Sequence, residues 1–329
     1  MTGLAEHLTD LVEECSFSGV ARVLGPEAFD IAAGYADRAN RRPNELTTRF
    51  ATASGTKGFT ALTTMALIES GNLALDTPVR SIVGDDLPNI DDRVTIEHLL
   101  GHRSGIGDYL DEDELDDIDA HILGSRSVHE FDTPERFLNL LAAPGQREEP
   151  GSVFRYNNSG YVVLSMVIER LTGSFVDTVV SRVFDPAGMA TSGFFRADDL
   201  PGDTALGYLQ DGRTNVFHLP VVGAGDGGAY TTLDDLDRFW DALLSGAIVS
   251  ADAVASMTRP VSTADDTVAY GLGFWVSADG DDVWLEGMDA GVSLVSGIRR
   301  STGLRYSLLS NTSDGVWPLA RRLRAVTDD

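Results

Sequence analysis

Ser54 and Lys57 stand three residues apart in the stretch Ala53-Ser54-Gly55-Thr56-Lys57. Residues at that spacing share one face of a helix, so the amine can reach the hydroxyl. A serine hydroxyl is a poor nucleophile until a base takes its proton, and an amine is such a base only when neutral. The positive end of the helix dipole and partial burial both disfavour the ammonium form. The chain has 25 basic residues, and Lys57 is the single lysine among 24 arginines. Taken alone, the motif fits equally well an N-cap serine followed by a surface lysine.

A second constellation lies about 100 residues on, in Arg155-Tyr156-Asn157-Asn158-Ser159-Gly160-Tyr161, a polar turn leading into an apolar helix. Tyr156 and Asn158, two apart in an irregular segment, can point into one cleft. Tyr156 could relay a proton between Ser54 and a leaving group, since a phenol near an ammonium ionises more readily. Asn158 could hold Lys57 and a substrate amide or carbonyl. An isolated Tyr-Asn-Asn also fits a surface turn.

Other candidates carry less. His98 and His102 invite a Ser-His-Asp reading, but no Gly-x-Ser-x-Gly elbow surrounds Ser54. The six histidines show no metal-ligand spacing. Gly225-Asp226-Gly227-Gly228 lacks the Lys-Ser/Thr of a phosphate loop and reads as a structural turn before the helix that starts at Leu233. No cofactor or metal is expected.

The elements that must position these groups follow from periodicity. Residues 4–15 carry apolar positions at helical spacing, and residues 19–24 and 29–33 read as strands around the Gly25-Pro26 turn. Residues 271–276, 283–285, 291–298 and 304–310 read as further strands, and residues 316–326 as a closing helix. Between these ends the pattern is helical over 58–70, 96–100, 133–141, 161–171, 175–183 and 233–244, with Gly71, Gly173 and Gly246 as stops. A lone hairpin is too small to be stable, so the first strands are expected to join the last in one antiparallel sheet. The fold class is thus α+β. An antiparallel sheet of about five strands, flanked by terminal helices, forms one domain from residues 1–50 and 230–329, and residues 51–229 form an inserted, mainly helical domain.

Composition narrows the partner. The chain has 329 residues, 43% hydrophobic, and a formal charge of -26 from 51 acidic against 25 basic residues. So negative a field disfavours nucleic acid and anionic membrane surfaces and leaves a small molecule. It reflects an arginine-favouring genome or adaptation to salt. Cys15, the one cysteine, excludes an internal disulfide and is expected to be a small buried hydrophobe. Residues 1–19 lack a basic start followed by an apolar run, and no stretch reaches the ~18 apolar residues of a membrane helix, so a cytoplasmic, soluble protein is expected. The run from Asp111 to Asp119 reads as a solvated loop or a mobile lid.

These motifs together resemble the serine beta-lactamase-related superfamily, closest to its class C beta-lactamase, D,D-carboxypeptidase and family VIII esterase branch. Six stretches match in order: Ser54 to Lys57, residues 94–105 (Val-Thr-Ile-Glu-His-Leu-Leu-Gly-His-Arg-Ser-Gly), Tyr156 to Asn158, residues 184–189 (Phe-Asp-Pro-Ala-Gly-Met), residues 224–238 and residues 270–274 (Tyr-Gly-Leu-Gly-Phe). The resemblance implies that Ser54 is the acylated nucleophile, Lys57 its base partner and Tyr156 a general acid or base. It implies an oxyanion hole from the backbone N–H of Ser54 and one near Met288. By the same resemblance, His102 is expected to order the loop ending in Ser104-Gly105. The departure is in the third motif, where the family has Lys-Thr-Gly or His-x-Gly and this chain has Leu285-Glu286-Gly287. Gly287 is kept, but the first residue is apolar, which weakens the case for carboxylate-bearing penicillins and D-Ala-D-Ala peptides. Glu286 and Asp289 add negative charge if either faces the cleft, and strand alternation leaves open which does. The expectation is a serine hydrolase of a small ester, amide or short peptide. A beta-lactamase or D,D-peptidase, an acyltransferase of small-molecule biosynthesis and a non-catalytic binding protein remain alternatives, and the oligomeric state is open.

Overall fold

Strands from opposite ends of the chain lie side by side. The computed structural model describes residues 4–25, 28–120 and 127–325. Pro26 of the first turn and Val326 of the closing helix lie outside them. Helix α1 (Leu4–Glu14) leads into β1 (Gly19–Leu24) and β2 (Phe29–Ala33). The helical part contains α2 (Thr56–Glu69), α3 (Ile96–Leu100) and α4 (Asn158–Thr172), followed by α5 (Leu233–Ser245). The chain then forms β3 (Ser262–Thr263), β4 (Val268–Tyr270), β5 (Trp275–Ser277), β6 (Asp282–Asp289), β7 (Val292–Arg299) and β8 (Arg305–Ser310), and ends in α6 (Trp317–Ala325).

The main sheet is antiparallel, in the order β2-β1-β8-β7-β6-β5-β4-β3. β1 pairs with β8 from Gly19 opposite Ser310 to Leu24 opposite Arg305. The N-terminal hairpin therefore joins the C-terminal strands, as expected. The sheet has eight strands rather than about five, because β3, β4 and β5 extend its far edge. The continuous strand expected over 271–276 is broken at Gly273, whose φ is 97° and where a Cβ would sit 2.2 Å from that of Ala61 on α2. The backbone bends there because it presses directly against the helix.

Both sheet faces are buried. On one side α1 and α6 cover Val23, Trp284, Val295 and Leu308. On the other, Val283, Leu285 and Leu294 join a larger core with Phe59 and Leu62 of α2, Val162 and Met166 of α4, and Phe239 and Trp240 of α5. The two places where the chain crosses between the sheet and the helical part are adjacent, with Phe50 paired to Thr231 and Ala51 to Tyr230.

Most expected helices are present, and Gly71, Gly173 and Gly246 end theirs with φ of 76°, 93° and 73°. The helical pattern over 175–183 becomes a short α-helix and then a π-turn over Val180–Phe184. Cys15 corrects an expectation: it is exposed. Helix α1 stops at Glu14, Ser16 takes a φ of 53°, and the reversal sends Phe17 into the core instead. Among the described residues no helix is long and apolar enough to cross a membrane.

Candidate active site

Ser54 lies in a 3-10 turn, Ala53–Gly55, that runs directly into α2. Ala53 adopts a φ of 44°, a left-handed conformation that turns the chain sharply just before the serine. The turn rests on β6 at Gly287, where a Cβ would come 2.5 Å from the carbonyl oxygen of Thr52 and 2.6 Å from the nitrogen of Ser54. Only glycine allows that approach. Thr52 secures the other side, its hydroxyl donating to the carbonyl of Ala229 at 3.0 Å.

One turn into the helix, Lys57 is 1% exposed. Its Nζ donates to Ser54 Oγ at 2.7 Å, Asn158 Oδ1 at 2.8 Å and the Asp226 carbonyl oxygen at 3.0 Å. Three acceptors match the three protons of an ammonium. In the neutral amine the lone pair can turn to Ser54 and accept the hydroxyl proton. Burial lowers the lysine pKa below its ordinary 10.5, while the carboxylates of Asp226, Glu112, Asp108 and Asp289 oppose the shift.

Helix α4 begins at Asn158, three residues earlier than periodicity suggests, because its first turn is capped by polar groups rather than packed by apolar ones. The Asn157 side chain accepts from the Gly160 N–H at 2.7 Å. The Asp108 carboxylate accepts from the N–H groups of Asn158 at 2.6 Å and Ser159 at 2.8 Å. Asn158 Nδ2 donates to the Leu110 carbonyl at 2.8 Å, so its Oδ1 is left aimed at Lys57.

Tyr156 stacks on Trp275, with centroids 5.7 Å apart and planes 11° from parallel, and its ring centre is 4.9 Å from Lys57 Nζ. The nearby ammonium does not make its phenol more acidic. Burial, with Glu112, Tyr270 and Glu286 adding to it, holds the pKa well above 10.0 against a hydrogen bond from the Ser54 side chain. Tyr156 is therefore a neutral phenol at ordinary pH. Two histidines support the scaffold. His98 closes a capping box with Thr95 at the start of α3. His102, 1% exposed and with its ring centre 4.4 Å from that of Tyr156, accepts at Nδ1 from the Asn157 N–H at 3.1 Å. Its place is under the Tyr-Asn-Asn turn rather than only in its own loop.

The third motif resolves by alternation along β6. Leu285 points into the core and packs on Gly58, where a Cβ would be 2.4 Å from the leucine methyl. Glu286 points the other way, accepting from Trp284 Nε1 at 2.8 Å and pairing with Arg324 at 2.9 Å. Asp289 lines the cleft. Met288, 38% exposed, stands at the cleft rim between two lobes that meet at Ser54. One lobe holds Tyr109, Asp226, Tyr230 and Asp289; the other holds Tyr156, Trp275, Glu286 and Trp317. Burial raises the Asp226 carboxyl to about 6 and that of Asp289 to about 7.

Asp226, read as part of a structural turn, is thus a site residue. The signal available in sequence was an acid within three glycines, which together let a backbone carbonyl reach Lys57. The acidic run from Asp111 is likewise anchored. Glu112 accepts from Asn158 Nδ2 at 3.1 Å, and buried Asp119 accepts from Gln210 N–H at 2.8 Å. Asp108, Tyr109 and Trp275 carried no signal of their own. Among the described residues no group of acids, histidines or cysteines could hold a metal ion.

The chain is 30% identical over 325 residues to esterase EstB of Burkholderia gladioli, covering 86% of this chain and 82% of that protein. It is 29% identical over 280 residues to a Bacillus subtilis protein named for penicillin binding, PbpX, covering 83% of this chain and 65% of that longer protein. The crystal structure of a penicillin-binding protein from Bacillus halodurans superposes with a TM-score of 0.90 at 35% identity, over 97% of this chain and 100% of that one. The Beta-lactamase family model matches residues 4–328, and the chain belongs to that family.

Proposed function

We propose that the protein is a serine hydrolase of the esterase or amidase type that forms an acyl-enzyme on Ser54. The observation that carries this reading is the 2.7 Å contact between Lys57 Nζ and Ser54 Oγ inside a buried, three-acceptor cradle. The neutral amine takes the hydroxyl proton as Oγ attacks the substrate carbonyl carbon. The backbone N–H of Ser54 and one near Met288, brought together over Gly287, receive the developing oxyanion. Tyr156, beside both Lys57 and Ser54, hands a proton to the departing alkoxide or amine. Water then repeats the steps in reverse and releases the acid.

A penicillin or D-Ala-D-Ala peptide is a poorer fit. Each carries a carboxylate, whereas Leu285 withholds the usual cationic or hydrogen-bonding group and Asp226, Asp289 and Glu112 line the cleft. The test is labelling by a fluorophosphonate and turnover of short p-nitrophenyl esters. Both should disappear in Ser54→Ala, and persistence of either overturns the assignment. Nitrocefin should be turned over far more slowly than the esters.

A further inference from the structure

The lobe away from Tyr156 is the acyl side, because the leaving group must face the residue that protonates it. Its cavity is small, about 50 Å³. Two carboxylates line it without an ion pair to any described residue. Asp226 is 8% exposed, and its Oδ2 accepts from the Tyr109 hydroxyl at 2.5 Å. Asp289 receives only the N–H of Ala290, at 2.9 Å. The one cation acting appreciably on either is Lys57, whose Nζ is already committed to Ser54, Asn158 and the Asp226 carbonyl. Burying charge-bearing groups without a counterion is costly, so a cation brought in beside them would be favoured. The acids are too dispersed to hold a metal ion. The aromatic rings of Tyr109, Phe195 and Tyr230 complete the lining. Carboxylates together with ring faces are the surroundings an organic ammonium prefers.

We propose that this lobe is an ammonium subsite, with Asp226 and Asp289 as acceptors, so that the preferred substrate is an ester or amide of a short acyl group bearing a free amine. The inference rests on the serine-hydrolase reading of Ser54. A bound ammonium would also offset the carboxylates that favour the charged form of Lys57, so a cationic substrate would assist formation of the neutral base.

The experiment compares kcat/KM for alanine p-nitroanilide, as both enantiomers, with isobutyryl p-nitroanilide, in which a methyl replaces the ammonium. The better alanine enantiomer is expected to be favoured at least tenfold, about what one charge-assisted hydrogen bond contributes. An ammonium also activates the amide intrinsically, so the variant decides. In Asp289→Asn the ratio should fall about tenfold, and high salt should lower it in the native protein. An unchanged ratio in Asp289→Asn, or equal turnover of the two substrates by the native protein, overturns the subsite while fluorophosphonate labelling of Ser54 continues. Loss of that labelling in the native protein defeats the hydrolase reading itself.

Discussion

Gly287→Ala isolates the contact on which the site's geometry depends. A methyl at that position would lie 2.6 Å from the Ser54 nitrogen and 2.8 Å from that of Gly55, both backbone atoms that cannot rotate away. Restoring an ordinary 3.4 Å contact to Ser54 requires a separation of about 0.8 Å between β6 and the turn. Misplacement of about 1 Å can cost on the order of 100-fold in rate, and loss of one oxyanion donor costs about 3 kcal/mol, the same range. kcat/KM for a p-nitrophenyl ester should therefore fall about 100-fold, and fluorophosphonate labelling should slow in parallel. The strand itself is held by β7 from Asp282 opposite Arg299 to Asp289 opposite Val292, so the thermal transition should move little. Activity within about threefold of the native protein would refute the claim that this approach sets the oxyanion geometry.

Three further outcomes follow from the same structure. Because burial lowers the Lys57 pKa and the neutral amine is the active form, kcat/KM should rise with pH to a midpoint below 10.5, and Lys57→Met should abolish activity. The Asp289 carboxyl is raised to about 7 in the folded protein, so the stability it contributes is present below about pH 4 and is lost as pH rises through 7. Asp289→Asn should therefore match the native protein in unfolding free energy near pH 4 and exceed it above pH 7, by on the order of 2 kcal/mol after allowance for solvent screening, as read by denaturant unfolding at the two pH values. Finally, exposed Cys15 should react with a thiol reagent in the native protein without loss of esterase activity; a thiol reactive only after denaturation would contradict its placement.

The meeting of Lys57 with Ser54 and the Tyr-Asn turn before an apolar helix were legible from the sequence because each is a local pattern. Three residues on a helix put Lys57 over Ser54 whatever surrounds them, and the apolar run from Tyr161 marks the helix that follows the turn, though not its polar first turn from Asn158. The meeting of β1 with β8 was legible too, since neither terminal set of strands could bury its faces alone. Other features depend on contacts between distant segments. Gly287 is required because a turn more than 200 residues earlier presses on it, and Gly273 bends because Ala61 lies beneath it. Whether Leu285, Glu286 or Asp289 faces substrate is a matter of strand register, which alternation alone leaves two ways round. Asp226 entered the site through a backbone carbonyl, a group every residue has and no pattern marks. The sequence by itself determined which side chains could do the chemistry, because spacing along one helix is enough for that. Tertiary structure decided the charge of the surrounding cleft and the neutral state of Tyr156, because burial and the field of remote carboxylates exist only once the chain is folded.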